Sequence, residues 1–319
     1  MQLHSEIVLY IVLGLFAFIL NLPVIFTVLF NSQLRLQKEF VIIAGLCITD
    51  SINGFIFFLI GVYRWRVVVE AKEIQLTSRW FCLTTIPQMT SVAIDQAFAW
   101  MLLVITLDRL FAVCSPVHYF KQTGSYAWKC HLGVLAQSIL CLGFAFVFTK
   151  DYTYPEVSPL CYTSDSVDPK LYRVLEIMRM ATVALSVVLY VPIGWNLSHI
   201  SQNKNLGTDV NRRYKQLKNM TVTIALCTAT SVILVLIPDI AVSFKLFNLK
   251  AYSSYFFSVT ILKSSINVLI YVIRNPLIYR KLLDFIFRFQ RKPSVQPTSS
   301  HFTIVHNSPA HPRGSLKTP

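Results

Sequence analysis

The chain has 319 residues, 54% of them hydrophobic and only 14% charged, with a formal net charge of +14. Soluble domains carry about a quarter charged residues, so this composition excludes an ordinary water-soluble globule. The basic surplus alone would suit nucleic acid, but its placement along the chain follows membrane topology instead.

Seven apolar runs of twenty or more residues follow one another, at roughly 7–30, 40–62, 83–107, 128–148, 174–198, 220–246 and 252–271. Each is long enough to cross a bilayer core about 30 Å thick as a helix. Their length and lack of alternation exclude a β-barrel. The predicted class is an all-α membrane protein, a seven-transmembrane helix bundle. The first run starts at Ile7 with no basic segment before it and no small-residue cleavage site after it, and is expected to be a retained helix rather than a signal peptide.

Placing the N-terminus outside puts 18 of the 29 Lys and Arg on the cytoplasmic side, against four acids. The outer segments then hold nine basic residues against seven acids. This is the positive-inside bias, and it predicts a plasma-membrane protein with its C-terminus in the cytoplasm. Contact with anionic inner-leaflet lipid is expected as a by-product, and no nucleic-acid partner is expected. Of seven cysteines only Cys82 and Cys161 fall in outer segments, so they are expected to pair, two free thiols being the alternative. No Cys or His cluster has metal-ligand spacing, and neither a metal nor a cofactor is expected.

After helix 7, residues 274–289 place apolar side chains on one face and basic ones where headgroups would lie. That predicts an amphipathic helix 8 on the membrane surface. Residues 1–290 are therefore read as one bundle with helix 8. Residues 291–319, rich in Pro, Ser and Thr, are read as a disordered cytoplasmic tail offering Ser294, Thr298, Ser299 and Ser300 for phosphorylation, or simply as a solvated tail.

Several polar residues interrupt the apolar runs. Asp108-Arg109 ends the third run and is followed by Pro116. Asp50 lies mid-run in the second, where an uncompensated carboxylate implies a partner or a function. Pro192 and Pro238 interrupt the fifth and sixth. In this arrangement the chain resembles the rhodopsin-like G-protein-coupled receptors, most closely the nematode-type serpentine chemoreceptors.

The resemblance implies that Asp108 holds Arg109 at rest and that Arg109 meets the G protein on activation. Lys215 and Lys218 would lie on the helix-6 face that opens towards it. Asn21 and Asp50 would form an intramembrane polar site for a sodium ion or a water network. The Cys82–Cys161 pair matches the disulfide of these receptors. Their NPxxY motif has two candidates, Asn275–Tyr279 with its proline and Asn267–Tyr271 without it. The second is preferred, because it leaves Arg274 at the membrane exit, lets Asn275 cap helix 8 and puts Pro276 in the first turn. Leu110 replaces the usual Tyr after the Arg, and Leu236 the usual helix-6 Trp.

The ligand-pocket expectation names Asp95, Gln96, Asp239 and Lys263, which either bind a polar ligand or pair internally, for example Asp95 or Asp239 with Lys263. Glu176 and Arg179, three apart, are expected to pair. The amine-receptor aspartate would fall near Ser91, and the opsin lysine at Ile261 or Leu269, so neither ligand type is favoured. The function expected is chemosensory: a small-molecule ligand outside, a heterotrimeric G protein inside, and arrestin and a receptor kinase at the tail. The alternative is a small-solute transporter, but neither paired repeats nor broken midplane helices are visible. No nucleophile–base set suggests an enzyme.

Overall fold

The computed structural model describes residues 2–70, 75–202, 208–244 and 253–290. The predicted tail and its phosphorylation sites lie outside the described residues. Each apolar run supplies the body of one helix. These are α1 (Gln2–Phe30), α2 (Lys38–Val69), α3 (Ile86–Cys114), α4 (Gly124–Thr149), α5 (Pro169–Val188, continuing as Tyr190–Gln202), α6 (Thr208–Ser231, Val232–Leu236 and Ile237–Ser243) and α7 (Ser253–Arg274), followed by α8 (Pro276–Gln290). Helices α1 to α6 are long and apolar enough to cross a bilayer. With 22 residues, α7 is about 33 Å long and completes seven. Among the described residues the only extended pairing is a single antiparallel bridge, Thr77 with Val157.

The helix ends follow local chemistry rather than hydropathy. α3 begins three residues later than its apolar run because residues Arg79–Thr84 form a separate short helix, capped by the Ser78 hydroxyl. It then continues two turns beyond the run and carries Asp108 and Arg109 inside the helix. It stops at Ser115, because the residue before a proline is disfavoured from helical backbone, and Pro116 opens another short helix, Pro116–Lys121.

Prolines shape two spans. The α5 helix is interrupted at Leu189, just ahead of Pro192, and the Ile193 N–H reaches the Leu189 carbonyl at only 3.4 Å. In α6 a π-helical turn, Val232–Leu236, immediately precedes Pro238. Both fit the missing N–H and the ring clash of proline inside a helix. α7 and α8 meet at a 100° bend, with Pro276 as the first residue of α8.

Helix contacts rely on small residues. A Cβ on Gly14 would come within 2.7 Å of the Gly54 carbonyl oxygen, and one on Gly54 within 2.8 Å of that of Gly14. The α1 and α2 backbones therefore touch, the close approach that small residues permit in membranes. Elsewhere the His131 ring of α4 sits over Gly45 of α2 and meets the Val41 carbonyl at 3.1 Å. α2 is the most central span, with 78% of its apolar window buried against 28% for the peripheral α4.

At one end of the bundle Cys82 and Cys161 form a disulfide with Cα atoms 5.3 Å apart. Cys161 takes a left-handed φ of 48°, held by the disulfide and by the Gln88 side chain, which donates to its carbonyl. The Thr77–Val157 bridge ties the same loop down, and so does Tyr63, whose hydroxyl donates to the Pro159 carbonyl at 3.0 Å. Asp168 caps α5, accepting from the Lys170 and Leu171 N–H groups at 3.0 and 2.8 Å and from the Tyr152 hydroxyl at 2.7 Å.

Candidate functional site

Three polar centres line up through the bundle. The first lies at the end opposite the disulfide. Asp108 and Arg109 are both fully buried, and the guanidinium is paired with the neighbouring carboxylate, its Nε at 3.1 Å. Arg109 Nη2 also donates to the Tyr119 hydroxyl at 2.8 Å, and that hydroxyl donates to Glu39 Oε1 at 3.0 Å. Tyr119 is buried in the short helix that Pro116 opens. Lys38 of α2 sits 3.8 Å above the Tyr119 ring and donates to the Tyr119 and Gln122 carbonyls. The Asp-Arg pair is thus one edge of a network joining α2, α3 and the helix after α3. Leu217 of α6 belongs to the apolar cluster beside it, with Ala112 and Tyr119, whereas Lys215 and Lys218 are exposed on the α6 surface.

The second centre surrounds Asp50, which is 1% exposed. Its Oδ1 accepts from Lys263 Nζ at 2.8 Å and from the Ser264 hydroxyl at 3.1 Å, and its Oδ2 from Asn267 Nδ2 at 3.2 Å. Asn267 in turn accepts from the Thr230 hydroxyl at 3.1 Å, and Lys263 Nζ lies 3.6 Å above the Phe98 ring. This corrects two expectations. Lys263 is not paired with Asp95 or Asp239; its ammonium pairs with Asp50, although the residue also lines the cavity at the disulfide end. Asn21 does not join the cluster: it donates to the Ala17 carbonyl of its own helix, and its Oδ1 has no hydrogen-bond partner among the described residues. Nor does the site fit a sodium ion. A second cation 3–4 Å from the ammonium would meet a repulsion of about 4 kcal/mol even at an effective dielectric constant of ~20.

The same geometry bears on the two helix-7 alignments. Asn267 reaches Asp50 and Tyr271 is fully buried one turn on. Asn275 lies past the last residue of α7, at the bend. It stands in the capping position before Pro276, where its carbonyl accepts from the Tyr279 N–H at 3.0 Å, while its side-chain amide donates to the Met220 sulfur at 3.2 Å.

The third centre opens at the disulfide end, a cavity of about 830 Å³ bordered by α1, α2, α3, α5, α6, α7 and the loop carrying Cys161. Arg179 stands in its wall. It pairs with Asp239 at 2.9 Å and, more loosely, with Asp95 at 3.7 Å. Glu176 does not take the expected intrahelical partner; it accepts from the Ser243 hydroxyl of α6 at 2.7 Å. Exposed three-residue pairs are worth only a few tenths of a kcal/mol, less than Arg179 gains from carboxylates on two neighbouring helices. Gln96 points beside this wall into a smaller cleft and donates to the Leu175 carbonyl at 3.2 Å. On the far side Arg64 is bound to Glu6 at 2.9 Å and to the Leu160 carbonyl at 3.1 Å, with the Tyr162 ring against it at 4.3 Å.

A model of the serpentine-type seven-transmembrane G-protein-coupled chemoreceptors, Srsx, matches residues 11–286. The chain belongs to that family. No curated protein matches it.

The receptor is accordingly a multi-pass membrane protein of a chemosensory G-protein-coupled receptor family, for which a small-molecule ligand and a G protein are the partner classes. Sequence reasoning missed Lys38, Glu39 and Tyr119, which complete the network around Arg109. Lys38 and Glu39 were visible as a charged pair at the edge of the second run but counted only as topology. Tyr119 had a weaker signal, its place three residues after a helix-opening proline. Arg64 was missed as well, as an outer basic residue two positions beyond the apolar run.

Proposed function

We propose that the receptor binds a small molecule in the 830 Å³ cavity on the extracellular side and activates a heterotrimeric G protein through Arg109 on the cytoplasmic side. The carrying observation is that one helix serves both ends. Asp95 faces the cavity from α3, and Arg109 lies fourteen residues further along it, about 21 Å at helical rise. Between them Phe98 packs under Lys263, so α3 is also coupled to α7 and α2 through the Asp50 cluster. A shift of α3 driven from the cavity reaches both the cluster and the Arg109 network, and allosteric coupling of this kind requires two such arrangements differing in ligand contact. The N-terminus is outside and the C-terminus in the cytoplasm, as the basic bias directs. Helix α8 lies on lipid, and the tail is open to a receptor kinase and arrestin.

The test is Arg109→Ala in reporter cells, with surface expression and G-protein nucleotide exchange measured together. The expected outcome is loss of exchange with expression largely retained. Unchanged exchange refutes the assignment, and termini tagged on one side of the membrane refute the topology.

A further inference from the structure

The charges lining the ligand cavity do not balance. Arg64 is matched by Glu6, Arg79 by Glu156 at 2.7 Å and Lys263 by Asp50. What remains in the lining is Arg173 and Arg179 against Asp95, Asp165, Glu176 and Asp239. Two guanidinium groups face four carboxylates there, a surplus of two negative charges. Asp239 takes the close contact with Arg179, Glu176 receives only a neutral hydroxyl, and Asp95, a quarter exposed, stands 3.7 Å from the Arg179 guanidinium, beyond hydrogen-bond range.

A second, independent feature lies beside Asp95. Gln96 is 3% exposed, and its Oε1 has no hydrogen-bond partner among the described residues. It lines a cleft of about 20 Å³, together with Asp95, Tyr172, Glu176 and Arg179, next to the main cavity. That is room for a single water-sized group. A buried carbonyl oxygen without a donor is costly to leave unmade, and a carboxylate in such surroundings calls for a cation. One group satisfies both needs and fits the volume: an ammonium, with three N–H donors and one positive charge. The main cavity offers the remainder of such a ligand the apolar surfaces of Phe57, Ile60 and Phe98.

We propose that the receptor recognises small organic cations, its ligand placing a protonated amine in the cleft between Asp95 and Gln96 and an apolar body against Phe57 and Phe98. The assignment rests on the cavity being the ligand site. Asp95 is the anchoring charge, Gln96 Oε1 and Glu176 accept the remaining N–H groups, and Asp239 offsets the Arg179 guanidinium beside them at 2.9 Å.

The test uses the full-length receptor in lipid nanodiscs and reads thermal stabilisation by two matched sets: 2-phenylethylamine, 2-phenylethanol and phenylacetate, and isopentylamine, isopentanol and isovalerate. The amine of at least one set is expected to stabilise the receptor where its alcohol and acid do not. Asp95→Asn should weaken that amine about 30-fold or more, the loss that follows removal of one partner of a buried charge pair, while Asp95→Glu retains most of it. The ligand-free unfolding midpoint reports whether each variant is folded. Stabilisation by the acid or alcohol equal to that by the amine, no response to either amine at millimolar concentration, or an unchanged response in folded Asp95→Asn overturns the proposal. Binding is read without coupling. An amine that binds but drives no nucleotide exchange therefore refutes the signalling assignment alone, whereas exchange driven by an acid or alcohol refutes the cation assignment alone.

Discussion

Lys263 Nζ lies 2.8 Å from Asp50 Oδ1, and this ammonium neutralises a fully buried acid from within the chain. The pair joins α7 to α2 across 213 positions of sequence, and both side chains are 2% exposed.

Removing one partner of so buried a pair leaves an uncompensated charge, worth about 3–5 kcal/mol. Lys263→Met and Asp50→Asn should therefore each sharply reduce folded receptor, and the double variant should recover most of the loss. Wild-type thermal stability should be the same in sodium chloride and choline chloride. A sodium-specific increase would contradict the arrangement.

Tyr119 bridges Arg109 to Glu39 through one hydroxyl. Tyr119→Phe removes both hydrogen bonds but keeps the ring under Lys38. The expected result is raised ligand-independent nucleotide exchange with normal surface expression, because the hold on Arg109 weakens. Unaltered basal exchange would show that Asp108 alone restrains it.

The Cys82–Cys161 bridge closes a 79-residue separation, for which loop-closure arguments give about 4 kcal/mol. Cys82→Ser and Cys161→Ser should impair surface expression equally, and the double variant no further. Additive losses, measured by surface immunolabelling, would count against a shared bond.

Asp168 supplies a pH dependence. Burial pushes its carboxyl up, but the Leu171 N–H, the Tyr152 hydroxyl and the Lys170 N–H outweigh this and hold it below the usual carboxylate range. Its contribution is therefore fully present above the ordinary Asp pKa of about 3.9 and is lost as the pH falls through the depressed folded value. Asp168→Ala should cost about 1 kcal/mol at neutral pH, as for other helix caps. The difference from wild type should shrink in acid, and a constant difference from pH 7 to pH 2 would contradict it.

The fold was largely legible because its signals are local. Run length alone locates seven helices, and Arg274, Asn275 and Pro276 together announce the bend before α8. Topology singles out Cys82 and Cys161, and the pair is present as expected. The polar centres were less legible, since a side chain's partner depends on the rotation of its helix about its axis. Lys263, Asp95 and Asp239 were recognisable as costly residues, but nothing in their spacing says that Lys263 turns to Asp50 while Arg179 collects the other two. The network around Arg109 escaped for a related reason. Tyr119 sits on a six-residue helix whose orientation is set by packing against Ala112 and Leu217, not by its own pattern.

The contact between Gly14 and Gly54 divides the labour of the bundle. Two backbones in van der Waals contact cannot slide or roll without colliding, and the Asp50–Lys263 pair fastens α7 to the same block. These three helices form one cross-braced block. The interrupted hydrogen-bond ladders at Leu189 and at Val232–Leu236 lie in two of the helices outside it, α5 and α6, which also carry Glu176, Arg179 and Asp239 to the cavity wall. The charged wall thus lies on α3, α5 and α6, all outside the α1–α2–α7 block. A ligand held at this wall would therefore act on helices that the Gly14–Gly54 contact leaves unclamped.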